Sequence, residues 1–337
     1  MPKRGIMARA TRKDVATLAN VSVSTVSHIM NNRGEELGFS ADTEERVRKA
    51  AQKLGYIPRA SARNFRYQDS RVIAFFTTEA PSSLRLPVFN ELITSAIETA
   101  REANYFILPI PVNDDPLGTV AGTIRDIELA GAVVRDDVRL RDAIPLLLKN
   151  DVPSVWVNTG LLDAPDPQTT SIVVEEEPGV LEMLSSFNVS TVVKPVLISG
   201  PGKDSGRIET FLQYFPNAVR VNAGGWSFHD GYEVGAEVAG SEPDLIFAAN
   251  DYLAYGFMSY AADNNLFSND FPRIFGFGDV GALPTSPNRL SSIEWPLAEA
   301  SRLAVDVLIH HLRDTEPLSK GVIRVLKTSA HPRESTR

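Results

Sequence analysis

Three short stretches with helical spacing open the chain. In TRKDVATLANVSVSTVSHIMNN, Val15, Leu18 and Ala19 recur at intervals of three and four, the period of a helix face turned toward a core. Ala16 is small enough to let a second helix cross closely. Thr11 stands three residues before Asp14, a capping-box spacing that ties down the first free backbone N–H groups and predicts a helix start. Asn20 turns the chain, and Ser22 is placed to cap a second helix. Its Val26, Ile29 and Met30 point back at the first, leaving Val23, Ser24, Ser27 and His28 outward. A third helix is predicted from Ser40, with Val47, Ala50, Ala51 and Leu54 on one face and Gly55 as its stop. Such a trio makes a helix-turn-helix unit, although the same spacing also fits the cap of a plain helical bundle.

Tyr56 to Ser70 (YIPRASARNFRYQDS) has a proline, small residues and three arginines but no sustained apolar face. It reads as a linker, and one or two helical turns there would not offset the cost of nucleation without a partner. From Arg71 the pattern changes to short β-rich runs alternating with helical ones. VIAFF (72–76), YFILPI (105–110), AGAVV (130–134) and PSVWV (153–157) read as buried strands, with helices over Pro87–Ala103 and Arg141–Asn150. A second set follows in PVLIS (195–199), AVRV (218–221), DLIFAA (244–249) and RIFGF (273–277), alternating with helices at Gly206–Tyr214, Gly231–Ala239 and Leu253–Asn264. Two parallel α/β halves of similar order predict a duplicated, doubly wound core with a cleft between the halves, and clefts bind small molecules.

Charge divides the chain the same way. The net charge is −8, yet residues 1–70 hold 13 Lys and Arg against 7 Asp and Glu, and the rest holds 21 against 35. A basic first segment on an acidic body suits a nucleic-acid partner for the former, bound in a strongly salt-dependent way. The 337 residues, 43% hydrophobic and 23% charged, allow two or three domains with a sizeable core. There is no cysteine, which excludes disulfides, thiolate catalysis and cysteine-ligated zinc and fits a cytoplasmic location. No uncharged apolar run near membrane-spanning length occurs, and MPKRGIMARA lacks the apolar stretch of a signal peptide, so no membrane partner is expected. Met7 is a second candidate start, preceded by a basic tail.

Enzyme signatures are absent. GPGKDSG (200–206) lacks the glycine and lysine-serine spacing of a phosphate loop and reads as a turn. There is no GxGxxG, HExxH or Gly-x-Ser-x-Gly, and the five histidines are scattered, with adjacent His310 and His311 unable to face one metal from a helix. No cofactor and no metal site are expected.

The stretch TRKDVATLANVSVSTVSHIMNN, followed by TEERVRKAAQKLGYIPRASARNFR, resembles the headpiece and hinge of the lactose-repressor family of bacterial transcription regulators. The resemblance implies an N-terminal all-α helix-turn-helix headpiece plus hinge, then an α/β periplasmic-binding-protein-like core of two doubly wound parallel-sheet lobes. Residues 8–57 would be the headpiece, 58–70 the hinge helix or linker and 71–337 the ligand-binding and dimerisation core. Lobe 1 would take about 71–174 plus 281–310 and lobe 2 about 175–280 plus 311–330, with crossings near Val174, Val280 and His310. On DNA, the second helix would lie in the major groove, with Val23, Ser24 and His28 at base-reading positions and Thr11, Thr25, Ser27, Asn31 and Arg63 among the DNA-binding residues. Phe65 stands where a hinge side chain, usually leucine, wedges the central minor-groove step. The loop Arg33–Phe39 is longer than usual in the family. With no heptad repeat after the last crossing, a homodimer rather than a tetramer is expected.

The resemblance also implies an effector site. Trp226 matches a position where an aromatic ring covers the ligand, Arg207 a pocket arginine, and Asp251 a carboxylate that accepts from hydroxyls. Phe89, Arg135 and Asn158 match more variable pocket positions. Arg207 precedes Thr210-Phe211 where the family has a Gly-aromatic pair, and Gly278 stands where it often has an aspartate. Arg135 replaces a neutral side chain, which points to an acidic or phosphorylated effector beside the sugar-like one usual in the family. The implied function is a homodimeric repressor of a palindromic operator under control of a small-molecule effector. The alternative is a cytoplasmic sugar- or nucleotide-handling α/β protein whose N-terminal helices mediate protein contacts.

Overall fold

The computed structural model describes residues 10–30, 33–56, 70–77, 87–112, 114–160, 164–268, 271–280, 289–314 and 317–337. The chain resolves into two compact units that divide between Ser70 and Arg71.

The first unit holds helices α1 (Arg12–Ala19), α2 (Val23–Met30) and α3 (Ala41–Leu54). Local chemistry sets their ends. Thr11 Oγ1 accepts from the Asp14 N–H while the Thr11 N–H donates to the Asp14 carboxylate at 2.7 Å, a complete capping box. Ser22 accepts from the Thr25 N–H at 3.0 Å and Ser40 from the Thr43 N–H at 3.3 Å. Asn20 (φ 52) and Gly55 (φ 59) end α1 and α3 in the left-handed conformation. The core is Val15, Ala16, Ala19, Val26, Ile29, Val47, Ala50 and Ala51. Leu18 is a correction: it is 45% exposed. The buried stripe runs through Val15, Ala19 and Ala16, which turns Leu18 off the contact face.

The second unit contains two parallel sheets. Strands β1 (Val72–Thr77), β2 (Phe106–Pro111), β3 (Gly131–Arg135), β4 (Ser154–Asn158), β5 (Thr170–Glu175) and β11 (Gly321–Lys327) form a sheet ordered β11-β5-β4-β3-β1-β2. Strands β6 (Pro195–Ser199), β7 (Val219–Asn222), β8 (Leu245–Ala248) and β9 (Arg273–Phe275) form another, ordered β7-β6-β8-β9. Every pairing within both is parallel. A short antiparallel pair, β10 (Ser292–Glu294) with β12 (Ser329–His331), continues beside β9. These are the two doubly wound lobes expected, but not every strand is buried. β2 and β7 are edge strands, and Phe106 is 67% exposed. The helix expected over Gly231–Ala239 is two pieces, Phe228–Glu233 and Gly235–Gly240.

The lobe boundaries also need correction. The helix Leu297–Asp314 runs unbroken through His310, so no crossing lies there. It packs on the helix Pro87–Glu102 and on β3–β5, where Ser301 Oγ donates to the Leu92 carbonyl at 2.6 Å and Ser95 Oγ to the Ala298 carbonyl at 2.8 Å. After it, β11 pairs with β5 in lobe 1. The chain therefore crosses after Glu175, between Glu294 and Leu297, and at Thr328. Residues 289–294 belong with lobe 2 and 317–327 with lobe 1. The C-terminus closes on lobe 2, where Ser335 Oγ donates to the Ile274 carbonyl at 2.6 Å.

Candidate functional sites: a helical reading face and an inter-lobe arginine

On the first unit, α2 presents a short polar face. Val23 is 45% exposed and Ser24 is exposed, while Thr25, Ser27 and His28 are half-buried. The hydroxyls of Ser24 and Thr25 both bond to Ser22 Oγ, at 2.7 and 2.8 Å, so the helix start is held by a hydroxyl cluster. His28 stacks on Phe39 with ring centroids 6.4 Å apart. In the loop between α2 and α3, Arg33 grips Glu36 through two bonds of 2.9 and 2.8 Å. Thr11 is exposed, and its hydroxyl and N–H serve the cap of α1, holding the Asp14 carboxyl below its usual range. Asn31, Arg63 and Phe65, and with them the hinge, lie outside the described residues.

In the core, the candidates sit where open α/β sheets place ligand chemistry, past the C-terminal ends of parallel strands. Arg135 ends β3, Asn158 ends β4, and Asp251 follows β8. Arg207 opens the helix Gly206–Tyr214 and is buried. Its Nε donates to the Ala249 carbonyl at 2.9 Å, and its N–H donates to Glu176 Oε2 at 2.9 Å. Its Nη1 makes a close ion pair with Glu176 Oε1. Three rings surround the guanidinium: Phe277 at 4.5 Å, Trp295 at 5.0 Å and Trp226 at 5.9 Å from its central carbon. Trp226 is fixed by Nε1 donating to the Pro201 carbonyl at 3.1 Å.

The lobe 1 residues form a second network. Arg135 Nε donates to Thr159 Oγ1 at 3.2 Å, and burial, with Arg207 adding like charge, lowers Arg135 to about 10. Asn158 donates to Asp136 at 3.2 Å and accepts from the Gly160 N–H at 3.2 Å. Asp136 in turn receives the fork of Arg141 at 2.9 and 2.8 Å. The Glu176–Arg207 pair thus abuts lobe 1: Gly160, with φ +95, leaves room for the Glu176 carboxylate that any Cβ would fill.

Asp251 has a different setting. Asn250, not Asp251, caps the helix Asp251–Asp263, accepting from the Leu253 N–H at 2.8 Å. Asp251 accepts from Ser292 Oγ at 2.6 Å and from the Val280 N–H at 2.9 Å, and burial raises its carboxyl to about 6. Phe89 lies in the first turn of the helix Pro87–Glu102. Arg207 and Trp226 are therefore together, with Arg135 in electrostatic reach, whereas Asn158 and Asp251 serve neighbouring networks.

Sequence reasoning missed Glu176, Thr159, Phe277 and Trp295. The run Glu175–Glu177 is a weak signal for the first, because nothing local says that its middle member is fully buried.

Comparison with known proteins follows the same division. The model of "Bacterial regulatory proteins, lacI family" matches residues 11–59, and that of "Periplasmic binding protein-like domain" matches 211–336. The HTH-type transcriptional repressor PurR of Haemophilus influenzae (strain PittEE) is 25% identical over 327 residues, covering 90% of this chain and 91% of that protein. The probable HTH-type transcriptional repressor ExuR of Bacillus subtilis (strain 168) is 23% identical over 326 residues, covering 93% and 95%. Among solved structures, the Lac repressor dimer bound to operator and the anti-inducer ONPF superposes with a TM-score of 0.78 at 21% identity, over 97% of this chain and 99% of that one. The CelR–cellobiose complex gives a TM-score of 0.63 at 19% identity, over 97% and 100%.

Proposed function

We propose, from the membership of this chain in the lacI family of bacterial regulatory proteins, that it is a sequence-specific DNA-binding transcriptional repressor controlled by a small molecule in its inter-lobe cleft. It is a regulator and not an enzyme, as its relatives named PurR and ExuR are repressors. The observation that carries the reading is the outer face of α2, where Val23, Ser24 and His28 stand on a helix whose start is pinned by Ser22. Short side chains on an exposed helix face let the backbone approach base edges in a major groove.

The finer reading is that a homodimer binds a palindromic operator, one headpiece to each half-site, with Thr11, Thr25, Ser27, Asn31 and Arg63 contributing contacts and paired Phe65 rings wedging the centre. It is supported by the fold match to a repressor dimer bound to operator. The effector is sugar-like or an acidic metabolite, held by Arg207 and Trp226, with Arg135, Asn158, Asp251 and Phe89 around them. The match to a cellobiose complex supports a sugar-sized ligand. Binding that favours one arrangement of the lobes over another shifts the operator-competent population by that difference in affinity. A regulator of this kind works on the chromosome, in the cytoplasm.

Selection of the purified full-length protein from random duplex DNA at two salt concentrations tests the reading, with a chain beginning at Arg71 as control. A palindrome enriched by the full chain alone, more strongly at low salt, is the expected result. Failure to enrich any sequence, with and without a metabolite pool, would overturn it.

A further inference from the structure

We infer that Glu176 sets the charge of the ligand group that Arg207 accepts: an uncharged oxygen, hydroxyl or carbonyl, and not a carboxylate or phosphate. The inference rests on reading the cleft as an effector site and narrows what that site takes.

Arg207 is already neutralised where it stands. Its backbone N–H and Nη1 both donate to the Glu176 carboxylate, and Nε donates to the Ala249 carbonyl. Among the described residues Nη2 makes no hydrogen bond. Phe277, Trp295 and Trp226 lie around the guanidinium. A ligand oxygen at Nη2 therefore sits on the same small planar group as the Glu176 carboxylate. Two like charges about 4 Å apart at partly buried screening lose on the order of a thousandfold in affinity, a loss an uncharged oxygen does not meet.

Displacement of Glu176 by a competing anion is blocked by its surroundings. Its side chain is fully buried, and its carboxylate lies against Gly160, where even a Cβ would come within 2.2 Å of the carboxyl carbon. A Cβ on Gly206 would lie 3.6 Å from the Glu176 Cβ, and the Glu176 carbonyl accepts from Thr328 Oγ1 at 3.0 Å. With chain packed on these sides and Arg207 on another, the carboxylate has no second place to go. Burial, the largest influence, pushes the Glu176 carboxyl up, and the ion pair and backbone hydrogen bond from Arg207 pull it back down.

The test uses the full-length protein without DNA, so its result is independent of whether an operator exists. Thermal unfolding of the wild type and of Glu176→Gln is followed against inorganic phosphate at constant ionic strength and neutral pH. Glu176→Met is a second neutral variant in case the amide misplaces its own donor. The wild type should show no phosphate stabilisation beyond that common to both proteins through the basic headpiece. A neutral variant should gain a saturable rise in melting temperature, with phosphate bound at least about tenfold more tightly. That rise should vanish when Arg207→Met is added. Equal phosphate responses in wild type and variants, or a gain that survives Arg207→Met, would overturn the inference.

Discussion

The imidazole of His28 and the ring of Phe39 lie 6.4 Å apart, centroid to centroid, with 28° between their planes. Phe39 also packs against the headpiece core, and its N–H donates to the Gly34 carbonyl at 3.0 Å. The loop Arg33–Phe39 thus braces His28, the residue proposed to read a base. His28→Ala should lose roughly 1–3 kcal/mol at its own base position only. Phe39→Ala should weaken discrimination at that same position, in addition to destabilising the headpiece. Binding titrations against single-base operator variants read both effects. A loss spread evenly over all positions would remove His28 from the set of reading residues.

Asp251 predicts a pH dependence of the opposite sense to that of a salt-bridged acid. Burial raises its folded carboxyl from 3.8 to about 6, so the folded state binds more protons than the unfolded state between those values. Its contribution to stability is present below the unfolded pKa and is lost as pH rises through about 6. Asn keeps an acceptor for the Val280 N–H and can donate to Ser292, whose hydroxyl reorients. Relative to Asp251→Asn, the wild type should therefore lose up to roughly 3 kcal/mol on going from about pH 4 to about pH 8. Denaturant unfolding of the two proteins across that range measures the difference, and parallel curves would contradict the assignment.

How much of this was legible depends on whether the deciding contact is local. Thr11 with Asp14, Ser40 and Gly55 are read within four residues of the feature they create, and all three cap as expected. Runs such as VIAFF and PVLIS are apolar because helices cover both faces of their strands, so they too announce themselves. β11 does not: GVIRVLK alternates, and its place beside β5 instead of in lobe 2 depends on the path taken by the helix Leu297–Asp314. β5 is flanked by threonine, serine and glutamate and did not stand out as a strand. At the arginine site, Arg207 and Trp226 were found through the family resemblance, whereas Glu176 looks like one of three surface glutamates until the fold buries it.

Gly231 and Gly256 let the helices Phe228–Glu233 and Asp251–Asp263 approach backbone to backbone in lobe 2. A Cβ on Gly256 would lie 2.1 Å from the Phe228 carbonyl oxygen and 2.7 Å from the Tyr232 nitrogen, and one on Gly231 would lie 2.4 Å from the Leu253 carbonyl oxygen. Backbone atoms cannot turn aside as a side chain can. Gly256→Ala should cost about 1–3 kcal/mol or more through forced separation of the helices. Gly240→Ala, where nothing lies within 4 Å, should be neutral or slightly stabilising. Urea midpoints separate the two, and equal midpoints would show that the helices slide apart freely.

Thr328 ties the third crossing to the first. Its Oγ1 accepts from the Gly179 N–H at 2.9 Å, it lies 3.0 Å from the carbonyl oxygens of Glu175 and Glu176, and its own N–H donates to Glu175 at 3.1 Å. Valine has the same shape but no hydroxyl, so Thr328→Val leaves the buried Gly179 N–H without its acceptor, at a cost of about 1–3 kcal/mol. Thr328→Ser keeps the hydroxyl and loses only a methyl group, so it should retain more stability than the valine variant. The ordering matters beyond stability because the same threonine holds the carbonyl of Glu176, whose side chain pins Arg207. A hydroxyl-dependent loss accompanied by phosphate binding like that of Glu176→Gln would tie crossing and site together. If serine and valine were equally stable, the crossing would be held by its backbone and packing alone.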